Sequence, residues 1–447
     1  MISKILALAV ALVLPLSAWA QKKSLSLDEA IAAGLEASPS LHASRMKVES
    51  SAAKAREVAA GQLPAVKLGA GYTRLSEVPP FAVRIPGSLE PFVVSQSYFN
   101  NWSLRLSVQQ PLFTGYRLEA GTESARMLEQ SAGQDLAKDR SELVFTVKNA
   151  YWGLARSREF ETVVREAIGQ VREHLKDVRA FFEQGLVTKN EVLRTELQLS
   201  NAELVAIDAR NAVEVARTSL NTLLGLPIET DVELTTTADS LASRAPDAGA
   251  AGEEAAASKT LVETALAARP ELKSADFRIK ASEAGLKAAR AGWYPQVSLA
   301  GNYYYLRPNA RYMPAQDRFH GTWDIGLAVS LDVWNWGQTK SQTEQAKSQL
   351  AQARDARRLL EDMAVLDVTQ SRLSLVQARD KLRIAGQAIG QAEENLRTFR
   401  ERFRQGVALN SEVIDAELLL FQAKIARTQT AIDLVLAQAR LEKALGI

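Results

Sequence analysis

Two periods of apolar residues alternate along this chain. In Trp102-Ser-Leu-Arg-Leu-Ser-Val-Gln109 the apolar residues at 102, 104, 106 and 108 alternate with polar ones, and Trp323-Asp-Ile-Gly-Leu-Ala-Val-Ser-Leu331 repeats the pattern. Val66, Leu68, Ala70 and Tyr72 form a third such face, and Val297, Leu299, Gly301, Tyr303 and Tyr305 a fourth. A period of two predicts strands with one apolar and one polar side. Elsewhere the pattern is helical. All fourteen prolines fall outside two long windows, with none between Leu112 and Leu226 and none from Ala315 to the C-terminus. A proline inside a helix costs about 3 kcal/mol or more, so these windows admit very long helices. Leu118 to Phe182 alone could supply about 65 helical residues, roughly 100 Å of helix, with Gly153 and Gly169 as places to bend. Leu418, Ile425, Ile432 and Ala439, flanked by Phe421 and Val435, stand seven apart. That is coiled-coil spacing.

The elements come twice. Phe182-Glu-Gln-Gly185-Leu-Val-Thr-Lys-Asn-Glu191-Val-Leu-Arg-Thr-Glu196 returns 221 positions later as Phe403-Arg-Gln-Gly406-Val-Ala-Leu-Asn-Ser-Glu412-Val-Ile-Asp-Ala-Glu417. The same shift relates Trp102 to Trp323 and Leu224-Gly225 to Leu445-Gly446. From Pro39/Pro270 to Tyr72/Tyr303 the shift is 231, so ten extra residues lie between Tyr72 and Trp102. Units of roughly 200 residues are too long for solenoid repeats of about 20 to 50, so this is a duplicated domain. The expected organisation is a signal at 1–20, a first repeat at 21–226 with a strand pair at about 64–113, a small-residue linker at 227–258, and a second repeat at 259–447 with a strand pair at about 295–334. The linker, rich in Ala, Gly and Thr, is expected to be flexible or loosely packed.

Residues 1–20 read as a secretory signal: Lys4, an apolar run from Ile5 to Leu16, and Ala18-Trp19-Ala20 before Gln21. No cysteine occurs, which excludes disulfides and zinc–thiolate sites. With 54 basic and 52 acidic residues, nothing electrostatic favours nucleic acid. Aromatics at 6% favour long helices over a large globule.

Strands of about 9 to 11 residues with one apolar face suit a membrane barrel. A half-buried sheet in a soluble domain alternates identically. Aromatic placement favours the barrel, because Trp102, Trp293, Trp323, Trp334 and Trp336 sit at predicted strand ends, where a membrane-interface belt belongs. Four strands cannot close a barrel, since spanning barrels need at least about eight. Lipid does not tolerate an open edge. Several chains must therefore share one barrel. Each strand pair is a hairpin, so the helices of both repeats lie on one side, which signal and barrel together make the periplasm.

Gly185 and Gly406 suit left-handed helix C-caps, and Thr188 with Glu191 reads as a capping box for the next helix. The second repeat has Leu409 in place of Thr188, so Asn410 or Ser411 is expected to cap there. The signal, the duplication, Pro39/Pro270, Gln110-Pro-Leu-Phe-Thr-Gly115 after a strand and the doubled F-x-x-G-x(5)-E-V-[LI]-x-x-E motif together resemble the TolC-like outer-membrane efflux family over the whole mature chain. The resemblance implies a mostly α protein with a β-barrel portion. Four strands per chain would join a trimeric barrel, continued by a long periplasmic α-helical coiled-coil barrel. It further implies a periplasmic adaptor (membrane fusion) protein and an inner-membrane pump as partners, with outer-membrane lipid around the strands. Substrates would pass through the tube with no chemistry and no cofactor.

Glu412 and Asp415 stand three apart on one helix face. The family closes its entrance with acidic rings at the matching positions, which makes them candidate gate residues. The alternative is local: acids in a first helical turn are favoured by the dipole whatever they face. Glu191 is primarily a capping residue, with the gate as its second reading. Where some relatives carry a tyrosine and an arginine that latch the entrance, this chain has Phe403 and Ala408. Gly185, Leu186, Val187, Thr188, Gly406, Val407 and Ala408 are candidates for adaptor contact, or purely structural turn residues. His42, His174 and His320 have no metal-ligand spacing, and no G-x-S-x-G, H-E-x-x-H or Walker-type loop is present. An enzyme is not expected. The rivals are a trimeric coiled-coil surface protein of structural or adhesive role, whose strands usually keep to one terminus, and a soluble periplasmic adaptor without an aromatic belt.

Overall fold

The computed structural model describes residues 23–238, apart from 85, 88 and 96, and residues 251–447. The expected signal at 1–20 and the middle of the expected linker lie outside them. The described residues divide into two compact units.

One unit comprises Ala43–Lys138 and Arg269–Met363. Its sheet has four antiparallel strands, β2 (Ala65–Arg74), β5 (Asn100–Phe113), β7 (Gln296–Arg307) and β8 (His320–Ser330), in the order β2-β5-β7-β8. The register sets Leu68 beside Leu106, Leu106 beside Tyr303, and Tyr303 beside Trp323. Directly paired residues share a face, so one face is continuously apolar. Its Val66, Leu68, Leu104, Leu106, Ile325, Leu327 and Val329 are all exposed. The opposite face carries Lys67, Arg105, Asn302 and Asp324 among small residues. A short hairpin, β3 (Phe81–Val83) with β4 (Phe92–Ser95), occupies the loop that holds the ten extra residues of the first repeat.

Where β5 turns into a helix, Gly115 has φ of 62°. A Cβ there would meet the Ala291 carbonyl oxygen at 2.6 Å, so the turn after Gln110-Pro-Leu-Phe-Thr needs glycine for both space and backbone. α2 (Pro39–Ala60) leads into β2, and its counterpart in the second repeat, α6 (Pro270–Ala289), leads into β7. α6 is held to the stretch at 131–135 by Ser274 against Ser131 (2.9 Å) and by Arg278 on Asp135 (2.6 Å).

The other unit comprises the described parts of Met1–His42, Asp139–Ala268 and Ala364–Ile447. Much of it is helix. α1 (Leu27–Ala37) starts from Ser26, which forms a complete capping box with Glu29. α3 (Arg117–Glu183) and α7 (Gln338–Arg404) enter the unit as uninterrupted 67-residue helices, and each turns into a shorter partner, α4 (Lys189–Leu223) or α8 (Asn410–Leu445). Absence of proline permits this length, and tertiary packing sustains it. The seven-residue row anticipated in α8 is only part of what is buried. Leu418 is 43% exposed, whereas Val413, Ala416, Leu420, Ile432, Leu434 and Val435 are covered. Neighbours on more than one side bury more than one heptad phase.

Part of the stretch at 227–258 departs from the flexible reading. β6 (Val232–Leu234) pairs parallel with β1 (Lys23–Leu25), and Ala251–Ala268 is helix α5. The Tyr151 hydroxyl donates to the Leu25 carbonyl and accepts from the Thr236 N–H, both at 3.1 Å, which locks the two short strands over the buried Tyr151–Trp152 pair. Three residues are too few for a period of two to stand out among threonine and alanine. Among the described residues no helix is long and apolar enough to cross a membrane.

Candidate functional site

The doubled motif forms two hairpin tips in the helical unit, each ended by the same chemistry. Gly185 has φ of 73°, its N–H donates to Phe182 O, and Leu186 N–H donates to Phe181 O. Gly406 at 76° repeats this with Phe403 O, while Val407 N–H donates to Arg402 O. These are paired bonds of a Schellman C-cap, which needs a left-handed residue. The residue after each glycine is an exposed apolar side chain, Leu186 (68% exposed) and Val407 (62%). Val187 and Ala408 instead pack partly against a cluster built from Val178, Leu396, Phe403, Val413, Ala416 and Leu420. Thr188, Gly185 and Gly406 are exposed, and so is Leu409, which was not among the candidates for adaptor contact.

The N-caps differ from expectation. Thr188 occupies the cap position but its hydroxyl makes no cap hydrogen bond. Leu409, not Asn410 or Ser411, is the N-cap residue of α8. Leucine has no side-chain acceptor, so only the backward half of a capping box forms, with the Glu412 carboxylate accepting from the Leu409 N–H at 2.7 Å. Glu412 is thereby engaged locally. Asp415, one turn on, is exposed, and its carboxylate has no hydrogen bond or ion pair among the described residues. Glu191 neither caps its own helix nor stands free. Its carboxylate accepts from Asn410 Nδ2 at 2.9 Å.

Asn410 is the centre of a buried polar node that sequence reasoning missed. Its amide nitrogen also reaches Glu191 O at 3.3 Å and Thr195 Oγ1 at 3.2 Å. The Glu191 oxygens only accept, which fixes the amide orientation and turns Oδ1 toward His174 Nε2 at 2.7 Å. His174 must therefore donate. Its ring lies edge-on to Phe403, with centroids 5.2 Å apart. One node thus joins α3, α4, α7 and α8. His174, Thr195 and Asn410 are all buried. Burial holds the His174 imidazole below its ordinary range, opposed chiefly by the Glu417 charge and by the Asn410 hydrogen bond.

Glu417 accepts from Arg400 Nη2 at 2.7 Å and is 4% exposed; its second oxygen has no partner. The same pair in the first repeat, Arg179 with Glu196 at 2.6 Å, is largely in solvent. Phe403 lies in the core against Phe181, at 5.3 Å between centroids.

In the sheet unit the predicted aromatics form two groups. Trp102 and Trp323 lie toward the loop ends of β5 and β8. Trp293 precedes β7 while Trp334 and Trp336 follow β8, at the opposite end. All five are exposed. Among the described residues no cluster of three or more His, Asp or Glu could hold a metal.

A family model described as outer membrane efflux protein matches residues 30–226 and 261–447. Similar proteins include the outer membrane efflux protein BepC of Brucella suis, 22% identical over 78% of this chain and 73% of that one. The toluene efflux pump outer membrane protein TtgC of Pseudomonas putida is 25% identical over 74% of this chain and 66% of that one. Among solved structures, CusC matches with a TM-score of 0.80 at 17% identity, covering 94% of this chain and 92% of that one. The outer membrane protein VceC of Vibrio cholerae matches with a TM-score of 0.78 at 19% identity, covering 94% and 96%. Those structural likenesses give the fold, and with both repeats matched by the family model, the chain belongs to the outer membrane efflux protein family.

Proposed function

We propose that this chain is one third of a homotrimeric exit duct, in which three copies close a twelve-stranded outer-membrane barrel over a periplasmic tube of helices. A periplasmic adaptor and an inner-membrane pump deliver substrate to the helical tips, and the duct itself performs no chemistry. The observation that carries this reading is the four-stranded sheet. It presents an unbroken exposed apolar face, and β2 and β8 have free outer edges among the described residues. An open sheet cannot sit in lipid, so neighbours must pair with those edges. Eleven residues of β8 at about 3.3 Å rise, tilted about 40°, cover roughly 28 Å, which fits an apolar band of about 25 Å. The two tryptophan groups fall where the interfaces would be.

The helices support the same assembly. Leu193, Leu197, Leu204 and Ile207 of α4 form an exposed apolar stripe, as do Leu359, Leu366 and Leu373 of α7 at seven-residue spacing. Such stripes favour partner helices from adjacent copies. The turns at Leu186 and Val407, with Gly185, Val187, Thr188, Gly406 and Ala408 around them, suit an adaptor's tip.

Three copies would gather acids at the tips, a cation-attracting constriction of the kind rings of carboxylates form. Among Glu412, Asp415 and Glu191, the unengaged Asp415 is the best placed to act. The purified protein reconstituted in planar bilayers is expected to give stepwise conductance without any energy source. Asp415→Ala should raise conductance or lower cation preference more than Glu412→Ala or Glu191→Ala. Absence of channels overturns the duct, whereas channels indifferent to all three substitutions overturn the gate alone.

A further inference from the structure

The polar face of the sheet is not evenly polar. About half of its positions are Gly, Ala, Ser or Thr, and its Lys, Arg and Asp side chains all lie at two adjacent levels near the middle of the sheet. Lys67, Ser107, Asn302 and Asp324 make one level; Gly69, Arg105, Tyr304 and Thr322 make the next.

Arg105 is held by neutral groups only. Its Nε and Nη2 donate to Asn302 Oδ1 at 3.2 and 2.8 Å, and its guanidinium lies 5.3 Å from the centroid of the Tyr304 ring. Asn302 in turn donates to Asp324 Oδ1 at 2.7 Å. Asp324 is the one carboxylate of the group, and it is matched by Arg311 at 3.2 Å. Arg311 also lies 6.0 Å from the Tyr304 centroid. Lys67 has no ion pair among the described residues. Three cations against one carboxylate leave a surplus of two positive charges per chain. The surroundings share this bias. Residues 65–113 and 296–330 hold seven Lys or Arg against four Asp or Glu, in a chain whose totals are 54 and 52.

We propose that Arg105 and Lys67, with Arg311 behind them, form a cationic collar inside the barrel that captures polyvalent anions and favours passage of anionic substrates. The inference rests on the reading of the sheet as part of a closed barrel, whose polar face lines the lumen. A guanidinium tied to an amide and an aromatic ring keeps its full charge while losing its freedom, so it presents a fixed positive site. Three copies place these groups around one aperture, and low-dielectric walls focus their field. The Debye length is about 8 Å at physiological salt, so the field fades along the tube and leaves the acidic tips to act separately. No other Lys, Arg, Asp or Glu lies on this face of the four strands, which concentrates its charge at the collar.

The test is block of single channels in planar bilayers by tripolyphosphate, added to one side and then the other. Block is expected at lower concentration from the side on which the hairpin loops open, where no acidic constriction stands before the collar, and it should weaken as KCl is raised. Arg105→Gln and Lys67→Gln should each raise the half-blocking concentration, on the order of tenfold for Arg105. Asp324→Asn, which removes the carboxylate, should lower it. These opposite signs distinguish charge from a general disturbance of the barrel. Channels that resist tripolyphosphate from both sides, or block indifferent to Arg105→Gln and Asp324→Asn, would overturn the collar and leave the duct standing. Failure to form channels at all would overturn the duct, and the collar with it.

Discussion

Asn410 offers the sharpest test of how the tips are held. Truncation to alanine removes the acceptor for His174 and the donor to Glu191, while Thr195 keeps its bond to Glu191 O at 3.0 Å. The buried imidazole N–H is then orphaned, which costs about 1–3 kcal/mol. The bond to the Glu191 carboxylate is worth about 1.5–3 kcal/mol when shielded, but Glu191 is half-buried and recovers part of this from water. The sum is about 2–4 kcal/mol. It acts locally, because the node ties α4 and α8 near their first turns.

Hydrogen exchange at 192–196 and 413–417 should therefore quicken by about 30- to 700-fold, at 1.4 kcal/mol per tenfold. Lys189, the equivalent position in the first repeat, is exposed, so Lys189→Ala serves as the control and should change nothing. Exchange in Asn410→Ala within about threefold of the parent would refute the node as a structural tie.

Two further outcomes follow from the same geometry. Arg400→Ala leaves Glu417 buried without its partner and should lower thermal stability clearly, toward the 3–5 kcal/mol typical of a broken buried pair but reduced by the partial exposure of Arg400, whereas Arg179→Ala at the equivalent exposed pair should cost about 0–1 kcal/mol; equal losses would count against the burial argument. The depressed His174 makes the tips acid-sensitive. Below about pH 6.5 the unfolded chain takes up the imidazole proton before the folded one does, so stability falls with pH until the folded value is reached. Protection factors at the tips, that is, exchange corrected for its intrinsic pH dependence, should fall as the pH drops below about 6.5 in the parent and less in His174→Gln, and matching pH slopes would contradict the assignment.

Much of the architecture is legible in the chain because it is written in short-range rules. Trp102 to Val108 and Trp323 to Val329 alternate because a strand alternates, and Gly185 and Gly406 end their helices because the cap needs a positive φ. The polar node is not local. His174 and Asn410 are 236 residues apart, and each looks like an ordinary surface residue of a long helix. A signal was present in the broken symmetry of the doubled motif: Lys189 becomes Asn410, and Thr195 becomes Ala416. A long charged residue replaced by a short amide suggests a change from solvent to interior. The capping expectations failed for a related reason. They assumed a local acceptor, whereas Asn410 spends its amide across helices and Glu412 reaches back to a leucine's N–H. The β6 strand was hidden by its three-residue length.

The central claim is that one chain supplies only part of a barrel. The most direct measurement is the mass of the complex extracted from outer membranes in mild detergent, read by native mass spectrometry. Three copies of the mature chain are expected, with no stable smaller species. A folded single chain, ordered and soluble without detergent, would contradict the account.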